Sequence, residues 1–210
     1  MTQAMTNAAQ VTGLLLAAGG GRRLGGRPKA LLPHRGRPLV ENAVRVLREG
    51  GCGTVYVVLG AAAEEVRARA DLAGCVLIDN PDWSEGMGSS LRAGLEALVE
   101  AAAEGGQDGG GRAALVSLVD QPGIGAAAVA RVLAAHRSGD SLAAASYDGK
   151  RGHPVLFGAE RWADIAASAT GDRGARAYLK AHGAEIDLVE CGDVAEPYDI
   201  DTEADLSRLQ

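Results

Sequence analysis

LLLAAGGGRRLGGRPKALLP, residues 14–33, is the stretch on which the fold turns. It opens as an unbroken apolar run, which is what a strand needs when helices cover both faces of its sheet. Gly19, Gly20 and Gly21 then end the run abruptly. Consecutive glycines let main-chain N–H groups approach an anion with no side chain in the way. Arg22, Arg23, Arg27 and Lys29 follow at once, so positive charge collects beside the turn. Together these features predict a phosphate cradle at the carboxyl end of a buried strand, entered through Leu16, Ala17 and Ala18.

Two familiar glycine motifs do not fit. The dinucleotide spacing counted from Gly19 puts Leu24 where the third glycine belongs, and the P-loop spacing from Gly21 to Gly26 leads into Arg27 rather than Lys followed by Ser or Thr.

Outward from the loop, β-compatible apolar runs alternate with Ala/Leu-rich stretches of helical periodicity. Strands are expected at 13–17, 54–59, 76–79, 114–118, 142–146 and 154–157. Helices are expected at 39–49, 62–70, 89–104, 126–136 and 175–182. That alternation predicts a three-layer α/β/α fold with a mostly parallel central sheet. Asp148-Gly149 between two strand-like runs predicts a hairpin or tight turn. The Gly-dense 104–112 segment reads as a mobile connection, Thr202 as the N-cap of a last helix, and Asp172 as the cap of the helix at 175–182.

The totals bound the function. A chain of 210 residues with 47% hydrophobic and 23% charged residues can bury a core as one domain, here expected over 12–210 behind a disordered tail at 1–11. A net charge of −6 provides no basic footprint for nucleic acid. No apolar run approaches the roughly 20 residues of a membrane-spanning helix, so no membrane partner is expected. Cys52, Cys75 and Cys191 show neither disulfide nor zinc spacing, which fits a reducing cytoplasm.

Five further segments carry chemistry. The apolar run 114–119 ends in Asp120, and ligands of open α/β sheets gather at strand carboxyl ends. A carboxylate facing a triphosphate is tolerable when a hard cation such as Mg²⁺ lies between them, so Asp120 is a candidate metal ligand. Asp199-Ile200-Asp201 offers a second carboxylate, and alternation puts both aspartates on one side of an extended segment, leaving the choice open. Asn80, Ser89 and Ser90 lie in NPDWSEGMGSSL, residues 80–91, a loop feeding a helix start. They are candidates for the base or ribose, although Ser89 reads equally well as a helix cap and Trp83 as packing. His153, Arg173 and Arg176 lie in RGHPVLF and GDRGAR and are candidates for the acceptor, His153 reading equally as a structural residue.

The order and content of these motifs resemble the MobA-like NTP transferase family, and within it the molybdenum-cofactor cytidylyltransferases. The matching residues are Leu16 to Gly19, Gly21, Arg23, Leu24, Gly25, Pro28, Lys29 and Leu31 to Pro33, then the 80–91 loop, Asp120, the 151–157 and 171–176 segments, and DIDT at 199–202. The resemblance implies a Rossmann-like nucleotide-diphospho-sugar transferase (GT-A) core. It implies that Lys29 and Arg23 contact NTP phosphates and that Asp201 joins Asp120 as the second Mg²⁺ ligand. The Ala17-Ala18-Gly19 form of the loop points to CTP. The implied acceptor is molybdopterin, and a molybdoenzyme or its maturation factor is an implied partner. An extra glycine near Gly25, the 104–112 insertion and Glu203-Ala204 in place of Pro-Glu depart from the family pattern. A sugar-phosphate or isoprenoid-precursor nucleotidyltransferase, and a non-catalytic accessory protein that delivers a finished cofactor, are the rival readings.

Overall fold

The computed structural model describes residues 11–104 and 112–209. The expected tail at 1–11 and the expected mobile connection at 104–112 fall almost wholly outside the described residues.

The chain begins with β1 (Val11–Leu16), and a small hairpin of β2 (Pro33–His34) and β3 (Arg37–Pro38) leads into α1 (Leu39–Glu49). There follow β4 (Val55–Leu59), α2 (Ala63–Arg69), β5 (Cys75–Asp79), α3 (Met87–Ala103), β6 (Ala113–Leu118) and α4 (Ala126–Leu133). A second hairpin, β7 (Leu142–Tyr147) and β8 (Lys150–Gly158), precedes α5 (Trp162–Ser168), α6 (Arg176–Ala181) and β9 (Asp187–Glu190), and a 3₁₀ segment at Glu203–Leu209 comes last.

Seven strands form one sheet in the order β5-β4-β1-β6-β8-β7-β9. Of these, β8 runs antiparallel to both neighbours and the other pairings are parallel. The expected mostly parallel α/β/α architecture is what the chain adopts. Its physical basis is visible in β1, whose six residues are all buried. Leu15 faces one apolar layer with Val40, Val44, Leu47, Val129 and Val132 of α1 and α4. Leu14 and Leu16 face the other, with Leu91, Leu95 and Leu98 of α3 and Trp162 and Ile165 of α5. The period-2 alternation of a strand thus divides one apolar run between two cores.

The β7–β8 turn is the expected Asp-Gly hairpin: Asp148 and Gly149 have φ of 51° and 74°, and Tyr147 pairs with Lys150. Two positive φ values make it a two-residue turn of the kind that matches strand twist. Among the expected elements, β8 therefore starts at 150 rather than 154. The strand β9 and the helix α5 were not expected. Three of the four β9 residues are exposed, so that strand carries no apolar alternation.

Three capping expectations are corrected. The helix α3 starts at Met87 after Gly86, so Ser89 sits in the first turn and its hydroxyl donates to the Gly86 and Asp82 carbonyls, both at 2.9 Å, rather than capping. Asp172 lies in a separate 3₁₀ turn, and α6 follows Ala175 with no side-chain cap. At the last segment Thr202 does stand at the N-cap position, directly before the 3₁₀ turn, and Asp205 three residues on accepts its amide as in a capping box, but the Thr202 hydroxyl donates to Asp205 Oδ2 instead of capping, and the Asp201 amide donates to the same oxygen. Among the described residues no helix is long and apolar enough to cross a membrane.

Candidate functional site

After β1 the chain curls tightly. Leu24 and Gly26 amides donate to the Gly21 carbonyl at 2.8 and 3.0 Å, and the Lys29 amide returns to the Gly19 carbonyl at 3.3 Å. Gly21 has φ 57°, and a Cβ there would lie 2.0 Å from the Arg27 carbonyl oxygen, so the turn excludes any side chain. A Cβ on Gly20 would come within 2.9 Å of the Trp83 ring, which packs on the loop. Buried Leu24 anchors the curl from below.

The result is to carry Lys29 across the carboxyl end of the sheet. Its Nζ lies 2.6 Å from Asp120 Oδ2 and 2.5 Å from Asp201 Oδ1. Asp120 follows β6. Asp201 is brought to it by the backbone bond from the Ile200 amide to the Asp120 carbonyl, at 2.9 Å, with the Ile200 side chain fully buried. Arg23 reaches the other oxygen of Asp201 at 3.5 Å. Arg27 turns away, donating to the Leu24 carbonyl at 2.9 Å and lying 3.4 Å from Glu203. Asp199 and Asp201 have different partners: Asp199 Oδ1 accepts from Gln121 Nε2 at 2.8 Å.

The charges respond to this crowding. Burial pushes the Asp120 carboxyl above its ordinary range, Lys29 pulls it back, and Asp199 and Asp201 raise it further. Burial lowers the Lys29 ammonium, but Asp120 and Asp201 outweigh it and its pKa ends above the ordinary value. Two carboxylates already share one cation, which is the electrostatic condition for a divalent ion. Carboxylate oxygens suit Mg²⁺ or Mn²⁺. Among the described residues no group of three or more His, Cys, Asp or Glu side chains forms a ligand set. The site fits an ion of the Mg²⁺ kind, which commonly takes one or two carboxylates and completes its shell with substrate phosphates and water.

A cavity of about 1330 Å³ opens here. Its walls include Leu16, Ala18, Gly19, Gly20, Gly21, Arg22, Arg23 and Lys29 from the loop, with Asp120 and Asp201. Ser90, His153, Arg173 and Arg176 line the same cavity. Three sequence candidates lie off the wall. Ala17 is 1% exposed within the core. Asn80 and Ser89 are buried and occupied internally: Asn80 Nδ2 donates to Ser89 Oγ at 2.9 Å and Ser90 Oγ at 3.0 Å, while Asn80 Oδ1 accepts the Asp82 amide at 3.0 Å. Asn80 and Ser89 hold the loop's shape, and of this trio Ser90 alone reaches the cavity.

His153 is neutral over the physiological range: burial pushes its imidazole down to about 4, Asp199 opposes that, and Arg176 and Arg151 add to it. It offers hydrogen bonds rather than charge. Sequence reasoning did not single out Lys150, Arg151 and Gln121 as wall residues, or Asp205 as the group holding the Asp201 and Thr202 amides. Arg151 stood in a quoted motif. Asp205 carried a helix-start signal that pointed to Thr202.

Known proteins resemble this chain in sequence and in fold. A nicotine blue oxidoreductase of Paenarthrobacter nicotinovorans is 45% identical over 205 residues, covering 95% of this chain and 96% of that one. A probable molybdenum cofactor guanylyltransferase of Opitutus terrae is 36% identical over 143 residues, covering 68% and 64%. The crystal structure of Rv0371C of Mycobacterium tuberculosis in complex with manganese superposes with a TM-score of 0.72 at 27% identity, covering 95% of this chain and 97% of that one. The family described as MobA-like NTP transferase domain matches residues 13–186, from β1 to the approach of β9, and the chain belongs to it.

Proposed function

We propose that this protein is a Mg²⁺-dependent nucleotidyltransferase that moves a nucleoside monophosphate, CMP from CTP, onto the phosphate of molybdopterin with release of pyrophosphate. The observation that carries this reading is the Lys29 ammonium held between the Asp120 and Asp201 carboxylates beside a side-chain-free glycine turn. A turn that presents amides beside a movable cation suits a triphosphate, and opposed carboxylates suit the ion that accompanies it.

In the reaction an acceptor phosphate oxygen forms a bond to the α-phosphorus while the bond from that phosphorus to the pyrophosphate oxygen breaks. The glycine-loop amides, Arg22, Arg23 and Lys29 bind the β- and γ-phosphates and keep the leaving group in line. Asp120 and Asp201 would hold the divalent ion, which when bound offsets negative charge at the α-phosphate. Arg173 and Arg176 orient the acceptor phosphate, and neutral His153 supplies a hydrogen bond without adding charge. An acceptor phosphate is already an anion, so positioning and charge neutralisation suffice and no protein base is required. The named activity of the Opitutus relative supports the acceptor class, and the manganese in the Rv0371C structure supports a divalent ion. Delivery of the product to a molybdoenzyme or its maturation factor completes the reading.

The test is pyrophosphate release from CTP, GTP, ATP or UTP with Mg²⁺, using molybdenum-loaded pterin, a sugar phosphate or an isoprenoid-precursor phosphate as acceptor. CTP with the pterin acceptor should turn over, and Asp120→Ala should lower the rate at least about 100-fold. Near-normal turnover by that variant overturns the assignment.

The 45% identity to a nicotine blue oxidoreductase favours a second reading, redox chemistry on that dye or one like it. Consumption of NADH or NADPH with such a dye, in the absence of any NTP and unaffected by Asp120→Ala, would select it.

A further inference from the structure

The turn that carries Arg173 is seated on bare main chain. It leaves the core at Ala169, which is fully buried, and the chain returns to the core at Tyr178 and Leu179. Between these anchors the 3₁₀ turn Gly171–Arg173 lies against the start of α3, at Gly86, Met87 and Gly88. A Cβ on Gly86 would lie 2.7 Å from the Gly171 carbonyl carbon and 2.8 Å from the Asp172 nitrogen. A Cβ on Gly88 would lie 2.7 Å from both the backbone nitrogen and the carbonyl carbon of Thr170. From the opposite side Gly174 leaves room for Met87, whose Sδ would be 3.2 Å from a Cβ there. Among the described residues no hydrogen bond or ion pair joins 170–174 to 86–88, so the contact is one of shape.

Gly88 stands in the first turn of a helix, where alanine is intrinsically the better residue, and its φ is not positive. Clearance is therefore what the position demands. The two sides of the contact are unequal. The start of α3 is pinned by bonds from Asn80 Nδ2 to Ser89 Oγ and Ser90 Oγ and from Ser89 Oγ to the Asp82 carbonyl. Within the turn the Arg173 amide reaches the Thr170 carbonyl at a long 3.4 Å. Carbon atoms pack at about 3.5–4.0 Å, so a methyl at position 88 drives the turn, and Arg173 with it, back by about 1 Å. Arg176 opens α6 three residues later and moves with the turn.

We propose that Gly88 is a positioning residue, whose missing side chain sets the depth at which Arg173 and Arg176 enter the cavity. Gly88 itself lines no part of that cavity, so it acts through the two arginines. The inference rests on the reading that these arginines take the phosphate of an acceptor, but not on the transfer step.

Full-length wild type, Gly88→Ala, Gly94→Ala and the double variant Arg173→Ala/Arg176→Ala are compared. Gly94→Ala is the matched control, because its Cβ overpacks the same helix against Leu14 Cδ1, at 2.6 Å, and not against the turn. The probe is 6-hydroxymethylpterin monophosphate, titrated by its own fluorescence, and the rise in melting temperature on adding CTP with Mg²⁺ is read in parallel. Gly88→Ala should raise the Kd for the probe at least about tenfold, within the roughly 100-fold that a 1 Å misplacement can cost. The double variant should lose at least as much. Gly94→Ala should bind within about twofold of wild type even where it melts lower. Both glycine variants should keep the CTP melting shift. Where Gly88→Ala does not fold, Gly174→Ala, which crowds Met87 from the other side of the contact, takes its place.

A Kd for Gly88→Ala within about twofold of wild type overturns the proposal. So does an equal loss in Gly94→Ala, a double variant that binds like wild type, a Gly88→Ala protein without the CTP shift, or wild type that fails to bind the probe. If wild type shows no CTP shift but binds the probe in a Gly88-dependent way, the nucleotidyltransfer reading fails and this inference stands. If the CTP shift and transfer are present while Gly88→Ala binds the probe normally, that reading stands and this inference fails.

Discussion

Replacing Lys29 with methionine keeps most of the side-chain volume and removes the ammonium from between Asp120 and Asp201. Side chains of Lys29 and Asp120 are 13% and 19% exposed, that of Asp201 37%, so the cluster lies between a buried and a surface ion pair. Breaking one side of a buried pair costs about 3–5 kcal/mol and an exposed pair at most about 1. The lower end of the buried range, about 3 kcal/mol, is the expected loss. For a chain of this size that is a fall in Tm of roughly 6–12 °C. The same variant leaves two carboxylates with no cation, so MgCl₂ or MnCl₂ alone should stabilise it. At about 100 times its Kd the ion would return about 2.7 kcal/mol, most of what was lost. Wild type should respond weakly to the ion alone, because the ammonium must first leave, and strongly once CTP is present to receive Lys29. Thermal unfolding of both proteins with and without ion and CTP measures all of this. Equal ion-only shifts in the two proteins, or an Lys29→Met protein that melts with wild type, would refute the reasoning.

Three other outcomes follow from the geometry. Gly21→Ala places a Cβ at φ 57° and 2.0 Å from the Arg27 carbonyl, so unfolding stability should drop by at least about 2 kcal/mol and the CTP-dependent melting shift should disappear. Asp205→Ala removes the oxygen that binds the Asp201 and Thr202 amides, and should lower kcat about tenfold while substrate KM changes little, since Asp205 lines no part of the cavity. His153, with an imidazole pKa of about 4 in the folded chain against 6.5 ordinarily, gives a pH signature. As pH falls the unfolded chain takes up that proton first, so stability is full above about pH 6.5 and declines toward pH 4 by up to about 3 kcal/mol. Urea midpoints across that window should fall less steeply in His153→Gln than in wild type.

Much of the fold was legible because its signals are local. The buried runs at β1, β4 and β6 are mostly apolar, broken only by Thr12 and Ser117, the glycines stand where the chain must turn, and Asp148-Gly149 dictates its hairpin. What was missed is short or exposed. The strand β9 is held by pairing with β7 and not by burial of its own side chains. Capping at Ser89 and Thr202 misled because hydroxyls serve several local geometries: Ser89 donates to carbonyls, and Thr202 donates to the group that does the capping. The site divides in the same way. The loop, Asp120 and the 199–202 segment each announced themselves. That Lys29 lies between residues 91 and 172 positions away, and that Asp199 turns to Gln121, depend on tertiary packing that no local pattern encodes.

The bond from the Ile200 amide to the Asp120 carbonyl, backed by a fully buried isoleucine, ties the two acidic residues into one mechanical unit. Lys29 rides instead on a curl built from glycines. The anionic jaw is therefore fixed by the backbone, whereas the ammonium reaches it only through the rotatable side chain of Lys29, so the cation can be handed to a phosphate by side-chain rotation with the spacing of the jaw preserved. In hydrogen exchange, the amide of residue 200 should be among the slow ones of the last thirty residues.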